Sequence, residues 1–356
     1  MNSATIRTEL APVLKPKPDP DRLHFGTIFT DHMFMMDYKA DKGWFDPRIV
    51  PYGPISLDPS ATVFHYAQEV FEGMKAYRRP DGGVQLFRPM DNVRRLNRSC
   101  ERLCIPTLDE EIALKGITEL VRLEESWVPS KPQTSLYIRP FVIATDPNLG
   151  VHASHSYLFC VICSPVGSYY KEGINPVSIF VENEDVRTVK GATGYVKTGG
   201  NYAATLRAGE RAESEGYSQV LWLDGVHRKY VEEVGSMNVL FKIKGETVTP
   251  PLGGSILPGI TRQSCLDLLR SWGEPVSERL ITIEELFAAA ENGDLEEAWG
   301  SGTAAVISPI GHMSWNGKTV TINGGKIGPL TQRLYDTLTG IQWGTLEDPF
   351  GWIVRL

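Results

Sequence analysis

Residues 190–202 place a lysine in a setting where it could bind an aldehyde covalently. Within this stretch Lys197 has two glycines on each side, and a predicted helix follows. Glycines take positive φ and let the backbone approach a ligand closely. Lysine is the side chain that forms Schiff bases with aldehyde cofactors. Taken alone, the stretch also fits a surface loop with a solvated lysine, and an isolated match favours that alternative.

A carboxylate lies further along the chain, where Glu233 sits in the strand-like residues 230–238. On its own, a glutamate in such a stretch is usually solvated. A pyridoxal cofactor, however, needs a carboxylate at its ring nitrogen, because the protonated nitrogen makes the ring an electron sink for negative charge at the substrate Cα. Together, Lys197 and Glu233 favour pyridoxal chemistry.

Two glycine-containing loops could hold a phosphate. Residues 257–264 (Leu-Pro-Gly-Ile-Thr-Arg-Gln-Ser) open directly into a predicted helix, and free backbone N–H groups at a helix start bind phosphate. Residues 299–305 (Trp-Gly-Ser-Gly-Thr-Ala-Ala) form a second tight turn that carries hydroxyl groups. Each loop taken singly also fits an ordinary connection.

The elements around these residues predict an α+β chain in two domains. In the first half, apolar spacing predicts helices at 91–103 and 109–127 and strands at 135–144 and 155–164. Residues 165–176 contain two prolines and two glycines without a period, which indicates a domain boundary. We therefore predict a flexible N-terminal tail (1–24), a small N-terminal domain (25–166), an interdomain linker (167–176) and a large C-terminal domain (177–356).

The second half predicts many short strands with a few helices. Asn201 is predicted to cap a helix that runs to about Glu215 and is stopped by Gly216. Strands are predicted at 177–182, 219–223, 229–234, 239–243, 247–249, 304–307 and 320–322, and helices at 261–272, 283–291 and 329–338.

Composition excludes several classes of protein. The net charge of −7 argues against a nucleic-acid partner, because phosphate binding draws on surplus basic surface. No apolar run approaches the roughly 18 residues of a membrane span. Residues 1–22 are polar and lack the apolar segment of a secretory signal, so we expect a cytoplasmic protein. The C-x-x-C formed by Cys160 and Cys163 lies in an apolar run and is expected to be buried core.

Six motifs occur in order along the chain, and together they resemble those of the branched-chain aminotransferase family, fold type IV of the pyridoxal-phosphate enzymes. The resemblance covers the chain from about Phe25 to the C-terminus. It implies a smaller N-terminal α/β domain, a larger C-terminal pseudo-barrel domain and pyridoxal 5′-phosphate as cofactor. The motifs are Phe-Glu-Gly-Met-Lys-Ala (71–76), Leu-Tyr-Ile-Arg-Pro (136–140), Val-Lys-Thr-Gly-Gly-Asn-Tyr (196–202), Glu-Val-Gly-Ser-Met-Asn (233–238), Leu-Pro-Gly-Ile-Thr-Arg (257–262) and Gly-Ser-Gly-Thr-Ala (300–304).

The resemblance implies a role for each matched residue. Lys197 would be the catalytic residue, which binds the cofactor aldehyde and carries a proton between substrate Cα and cofactor C4′. Glu233 would pair with the pyridine nitrogen, and Tyr202 would hydrogen-bond the phenolate oxygen. Arg95 would bind the phosphate, although the neighbouring Arg94 or Arg98 could do the same work. The further cofactor contacts implied are Ser236, Ile260, Thr261, Ser301, Gly302 and Thr303.

The resemblance also implies an apolar substrate pocket. The Thr303–Ala304 turn would present N–H groups to the α-carboxylate. Glutamate must bind as well, and burying its charged γ-carboxylate in an apolar pocket is unfavourable. Arg139 is the expected partner, because a guanidinium fork suits a carboxylate. The pocket aromatics, which would otherwise fit core packing, are Phe25, Tyr66, Phe71 and Tyr137.

Residues 146–151 resemble the family's loop that reaches into the neighbouring subunit. Leu149 and Val151 would then complete the partner's pocket, so a homodimer is expected. Some animal members carry a redox-active C-x-x-C after the Gly-Thr-Ala turn. Residues 303–308 contain no cysteine here, which excludes thiol switching at this position.

Rival classes fit less well. Residues 300–305 match the G-x-G-x-x-A of a dehydrogenase, but the β-prone residues Val306 and Ile307 follow where a helix should begin, and no acidic residue follows at the right distance. The seven histidines are scattered in sequence, so no metal is expected. A non-catalytic binding protein would be expected to lack one of the cofactor residues, yet all are present.

The nearer rivals share the fold. D-amino acid aminotransferase and aminodeoxychorismate lyase have the same lysine and glutamate but bind substrate differently. The Tyr137–Arg139 pair and the Thr303–Ala304 turn favour L-leucine, L-isoleucine and L-valine as amino donors, with 2-oxoglutarate as acceptor.

Overall fold

The computed structural model describes residues 5–167 and 174–356, which form two compact units. The first unit comprises residues 5–167, Val196–Gly199 and Gly340–Leu356, and the second comprises residues 174–195 and Gly200–Thr339. Both units contain a large sheet and helices, so the predicted α+β class is confirmed. None of the helices in the described ranges has the length and apolar character to cross a membrane.

The regular elements are numbered here in chain order. The described strands are β1 (Arg7–Thr8), β2 (His32–Lys39), β3 (Gly43–Pro51), β4 (Glu69–Phe71), β5 (Met74–Arg78), β6 (Val84–Phe87), β7 (Ser135–Ala144), β8 (Ser156–Val166), β9 (Val177–Val181), β10 (Gln219–Leu223), β11 (Val231–Val234), β12 (Met237–Ile243), β13 (Glu246–Thr249), β14 (Val276–Glu278), β15 (Leu295–Gly302), β16 (Val306–Trp315), β17 (Lys318–Thr321) and β18 (Ile353–Arg355). The described α-helices are α1 (Thr62–Tyr66), α2 (Pro89–Arg102), α3 (Glu110–Leu123), α4 (Gly199–Ala203), α5 (Leu206–Ser214), α6 (Ile260–Ser271), α7 (Ile283–Glu291) and α8 (Pro329–Trp343).

The first unit is built on a sheet of order β1-β3-β2-β8-β7-β5-β6-β18, with β4 paired to β7. Helices α2 and α3 pack against each other and bury apolar residues such as Leu96 and Ile117. Helix α3 begins where the Asp109 side chain accepts a hydrogen bond from the N–H of Ile112 at 3.0 Å. This capping bond satisfies a helix N–H that has no partner inside the helix.

The second unit contains a closed ring of strands. The sheet runs β11-β10-β9-β16-β15-β12-β13-β14, and β11 also pairs with β12. In the described residues, six strands therefore form a closed barrel, β11-β10-β9-β16-β15-β12, which confirms the predicted pseudo-barrel. The pairing of β11 with β12 sets Glu233 opposite Asn238, so two residues of one predicted motif become cross-strand neighbours.

The units differ from the predicted domain bounds at both chain ends. The predicted tail, residues 1–24, is described from residue 5, and β1 pairs in parallel with β3 while the N–H of Lys15 donates to Asp31 at 2.8 Å. The C-terminal residues Gly340–Leu356 belong to the first unit, because β18 pairs with β6. Most of the predicted linker 167–176 lies outside the described residues.

Most predicted elements occur within a few residues of their predicted bounds, and two local predictions are wrong. Asn201 does not cap a helix. It lies inside α4, and its side chain donates to the carbonyl of Thr193 and accepts from the Thr193 hydroxyl. The predicted strand 304–307 begins later, at Val306, because the preceding residues form a turn. Cys160 and Cys163 are buried in β8, as predicted.

Candidate active site

The segment that carries Lys197 is held by backbone hydrogen bonds. The N–H of Phe71 donates to the carbonyl of Lys197 at 3.0 Å, and the N–H of Lys197 donates to the hydroxyl of Ser99 at 3.0 Å. The Lys197 ammonium lies 4.8 Å from the centroid of the Phe71 ring. The motif at residues 71–76 and the segment Val196–Gly199 therefore meet at one place in the first unit, where a half-buried lysine is presented on a fixed backbone.

A half-buried carboxylate beside this segment fixes the residues that follow the lysine. Glu69 accepts hydrogen bonds from the Thr198 hydroxyl at 3.2 Å and from the N–H of Gly199. A Cβ at Gly199 would lie 2.6 Å from a Glu69 oxygen, so only glycine fits this approach. Burial raises the pKa of Glu69 above its ordinary value, while these bonds and the charge of Arg139 oppose the shift.

Arg95 is the buried arginine of its helix. Its Nε and Nη2 donate to the two oxygens of Glu72 at 2.7 and 2.9 Å, and both side chains are almost wholly buried. The neighbouring candidates are exposed, and Arg94 is paired with Glu110 at 3.3 Å. Among the three arginines that could serve a phosphate, only Arg95 has the fixed, desolvated guanidinium that a built anion site uses.

In the second unit Glu233 is held by two partners. Its Oε1 accepts from the Asn238 amide at 3.0 Å, and Arg187 Nη1 lies 2.8 Å from Oε2. The Asn238 amide also donates to the carbonyl of Leu257, which ties the strand pair to the loop before α6. The Glu233 carboxylate is 3% exposed, so the solvated alternative does not apply to it.

The proposed phosphate loops have the local geometry that the sequence predicted. Helix α6 begins at Ile260 after Gly259, which has no side chain to cap it, and Thr261 follows in the first turn. The first N–H groups of such a helix have no hydrogen-bond partner within the helix, so they are available to a bound anion. The second loop is the β15–β16 hairpin, in which Gly302 pairs with Val306 around the turn 303–305. Val306 has φ of +63°, which is strained for a β-branched residue.

One buried hydroxyl near the end of β15 has no hydrogen-bond partner among the described residues. Ser301 is 2% exposed, and among the described residues its Oγ makes no hydrogen bond. A buried hydroxyl without a partner is costly, so this atom fits a bound polar group. The hairpin also settles the dehydrogenase alternative, because the G-x-G-x-x-A sequence leads into strand β16 and not into a helix.

Two further predicted cofactor residues line one cavity of about 690 Å³ in the second unit. Tyr202 on α4 and Ser236 in the β11–β12 turn are among its lining residues, together with Arg187. Glu233 does not line this cavity directly, but it contacts Arg187, which does.

The predicted substrate residues of the first unit form an aromatic cluster around an arginine. The rings of Phe25 and Tyr137 lie 4.8 Å apart. The guanidinium of Arg139 lies 4.6 Å from the Phe71 ring centroid, and its Nη2 donates to the Tyr137 hydroxyl at 2.9 Å. Lys197 also lies over the Phe71 ring, so the predicted catalytic lysine and Arg139 contact the same aromatic side chain.

The remaining predicted substrate residues of this unit lie on or beside the loop between β7 and β8. Tyr66 donates a hydrogen bond to the carbonyl of Leu149, while the side chains of Leu149 and Val151 are 61% and 82% exposed. Such exposure of two apolar side chains on one loop is typical of a contact surface.

Sequence reasoning missed the residues that position the predicted ones. These are Ser99, Glu72 and Arg187, each of which contacts a predicted site residue, and Glu69, which binds the two residues that follow Lys197. Ser99 and Glu69 lie 98 and 130 residues from the lysine segment they bind. No local pattern marks such partners, although Glu72 lies inside a recognised motif.

Comparison with known proteins identifies the class. The model of the amino-transferase class IV family matches residues 69–313. The chain therefore belongs to the class IV aminotransferases.

The relatives narrow this class. "Branched-chain-amino-acid aminotransferase 2" of Bacillus subtilis (strain 168) is 60% identical over 356 residues, which cover 100% of this chain and 98% of the relative. The crystal structure of the Escherichia coli branched-chain amino acid aminotransferase has a TM-score of 0.75 at 25% identity and covers 91% of this chain and 98% of its own. The branched-chain aminotransferase of the archaeon Thermoproteus uzoniensis, solved with norvaline, has a TM-score of 0.74 at 26% identity, with 90% and 99% covered. Within its class, the chain belongs to the branched-chain-amino-acid aminotransferases.

Proposed function

We propose that this chain catalyses the reversible transfer of an amino group between L-leucine, L-isoleucine or L-valine and 2-oxoglutarate, with pyridoxal 5′-phosphate as cofactor. The observation that carries the proposal is the half-buried Lys197, whose peptide group is fixed by Phe71 and Ser99. Its ammonium lies against the ring of an aromatic residue in the proposed substrate pocket. A lysine so placed can act on a substrate that binds there.

The residues present fit such a cofactor. The buried Ser301 hydroxyl, which makes no hydrogen bond within the described part of the chain, and the uncapped start of α6 at Ile260 and Thr261 suit the phosphate. We propose that Arg95, Gly302 and Thr303 serve it too, that Tyr202 serves the phenolate oxygen, and that Ser236 adds a further contact. When bound, the pyridoxal ring would supply an electron sink for negative charge at the substrate Cα.

Lys197 would hold the cofactor covalently and then act as a base. Its Nζ would accept the proton from the substrate Cα and return it at cofactor C4′. Glu69 fixes the two residues that follow Lys197, which restricts where the amine can reach. Fixed geometry of this kind supplies a large part of the rate of a proton transfer.

Glu233 would hold the proton on the pyridine nitrogen. Its carboxylate is oriented from both sides, by Asn238 on one oxygen and Arg187 on the other. A buried carboxylate with fixed partners does not need to reorganise when charge develops on the substrate.

The aromatic cluster would bind the branched side chains, and Arg139 would bind the γ-carboxylate of glutamate. The Nε of Arg139 is buried and, in the described part of the chain, makes no hydrogen bond. A ligand carboxylate would supply the missing acceptor. We propose that Phe25, Tyr66, Phe71 and Tyr137 form the apolar wall, and that Thr303 and Ala304 bind the α-carboxylate.

We also propose that the protein is a homodimer, in which Leu149 and Val151 of each chain complete the substrate pocket of the partner. Support comes from the exposure of these two apolar side chains on a loop whose base is hydrogen-bonded to the rest of the first unit.

The proposal is tested by turnover with a matched pair of variants. The holoenzyme is expected to form glutamate from L-leucine and 2-oxoglutarate. Lys197→Ala should lower this rate by more than about 10²-fold, the lower end of what a positioned proton-transfer group contributes. Lys190→Ala, which removes an exposed lysine of the same glycine-rich stretch, should leave the rate unchanged. Activity on D-alanine or aminodeoxychorismate, with none on L-leucine, would move the function to a related enzyme of this fold.

A further inference from the structure

Three possible metal ligands meet on the loop between β7 and β8. Asp146 Oδ2 lies 3.3 Å from Nε2 of His152 and 3.2 Å from Nδ1 of His155. The three ligand atoms all lie within 4.8 Å of one another. Among the described residues, this is the one group of three possible metal ligands that lie so close together. The three residues lie within ten consecutive positions of the chain, and the loop turns their side chains toward one another.

These distances match the spacing of ligands around a small divalent ion. Zinc binds imidazole nitrogen and carboxylate oxygen at about 2.0–2.2 Å, so two ligands of a tetrahedral site lie about 3.3 Å apart. Both measured separations from Asp146 have this value within 0.1 Å. An ion could therefore enter between the carboxylate and each ring with little movement of the protein.

The ring of His152 is already oriented for a metal. Its Nδ1 lies 2.7 Å from the carbonyl of Gly150, and because a carbonyl can only accept, Nδ1 must carry a proton. Nε2 faces the Asp146 carboxylate at 3.3 Å, and a metal ion bound there would replace any proton on this nitrogen. A metal-bound histidine usually donates its other N–H in this way, which fixes both the tautomer and the ring.

The carboxylate is fixed by bonds that a metal would not displace. Asp146 accepts from the N–H of His155 at 2.7 Å and from the Ser156 hydroxyl at 2.8 Å, and its carbonyl accepts from the N–H of Thr62. Its side chain is 15% exposed, and that of His155 is 74% exposed. One side of the cluster is therefore anchored, and the other is open to a water ligand and to an entering ion.

We propose that Asp146, His152 and His155 form a binding site for a divalent transition-metal ion of the zinc type, with solvent as the fourth ligand. Two imidazoles and one carboxylate suit zinc, whereas magnesium and calcium prefer ligand sets made of oxygen. The ion would join the start of the loop to its end, across residues 147–151. Bound metal would thus fix the loop that carries Leu149 and Val151.

The experiment measures zinc binding to the holoenzyme without turnover, so its result does not depend on the proposed function. Protein freed of metal by dialysis competes for Zn²⁺ with a chromophoric chelator. The wild-type chain is expected to take one ion, which excess Mg²⁺ does not displace. His152→Ala and His155→Ala should each weaken binding by about tenfold or more, since loss even of an outer partner costs 10–100-fold. His227→Ala removes an exposed histidine outside the cluster and should leave binding unchanged.

The proposal would be overturned if the wild type competed for Zn²⁺ no more strongly than the double variant His152→Ala/His155→Ala. An equal loss in His227→Ala would also overturn it. If a variant fails to fold, anomalous diffraction from zinc-soaked wild-type crystals replaces it. A peak between the three ligand atoms supports the site, and zinc bound only elsewhere overturns it. Slower amide exchange of residues 147–151 in zinc is expected as well.

Discussion

Replacing Arg139 by methionine should separate the two kinds of substrate that one pocket must accept. Methionine keeps an unbranched, apolar side chain beside the Phe71 and Tyr137 rings, which the guanidinium now contacts. It removes the buried Nε, which makes no hydrogen bond within the described residues, and the Nη2 that donates to Tyr137. The variant should therefore bind the second carboxylate of a substrate more weakly, while the apolar wall of the pocket remains.

The expected magnitude follows from the bond that is lost. A hydrogen bond to a charged group contributes about 1.5–3 kcal/mol, and each 1.4 kcal/mol is a factor of ten. The kcat/KM for glutamate should then fall by about 10- to 150-fold in Arg139→Met. The kcat/KM for leucine should change little, because its side chain has no group that pairs with a guanidinium.

The assay is single-turnover kinetics of each half-reaction, followed by the change in cofactor absorbance with glutamate or leucine alone. Arg98→Met, an exposed arginine on α2, serves as the control and should leave both values unchanged. Equal losses for glutamate and leucine would show that Arg139 only supports the pocket. No loss for glutamate would refute the assigned role.

Two further predictions concern stability and assembly. Asp224 accepts backbone N–H groups from Val226, His227, Lys229 and Tyr230 in the loop between β10 and β11. Burial alone would raise the pKa of Asp224, but these bonds outweigh it and hold the pKa below its ordinary value. A lowered folded-state pKa stabilises the fold above the unfolded value of about 3.9 and loses this contribution as the pH falls through the folded value. Asp224→Asn should thus destabilise the protein by about 1–2 kcal/mol at pH 7. In urea unfolding, the difference in the free energy of unfolding between this variant and the wild type should shrink below about pH 4. A difference that stays constant with pH would show that the lowered pKa of Asp224 is not the cause. Light scattering should give twice the mass of one chain, and Leu149→Asp with Val151→Asp should lower the activity, whereas a monomer of full activity would exclude a shared pocket.

The sequence was informative where the chemistry is local. Residues 135–144 are mostly apolar and largely buried, and they form β7 over the predicted range, because a short apolar run is typical of a strand buried in a sheet. Lys197 and Glu233 could be selected because each lies in a short motif whose residue types suit one cofactor. In the structure, Lys197 lies on a fixed segment and the Glu233 side chain is buried.

The sequence was uninformative where partners are distant along the chain. The pairing of β18 with β6, which returns the C-terminus to the first unit, depends on residues more than 250 positions apart. Asn201 has the residue type of a helix cap, but a tertiary contact with Thr193 takes its side chain instead. Arg187 lies in a loop with no period, and only the fold reveals that it faces Glu233.

Chemical fixation can show whether Lys197 is the lysine that carries the cofactor. Borohydride reduction of the holoenzyme, followed by proteolysis and mass spectrometry, locates the amine to which the cofactor is bound. We expect a phosphopyridoxyl group on the peptide that contains Lys197, and none in Lys197→Ala. The same group on Lys190 or on another lysine of the wild type would refute the assignment of Lys197.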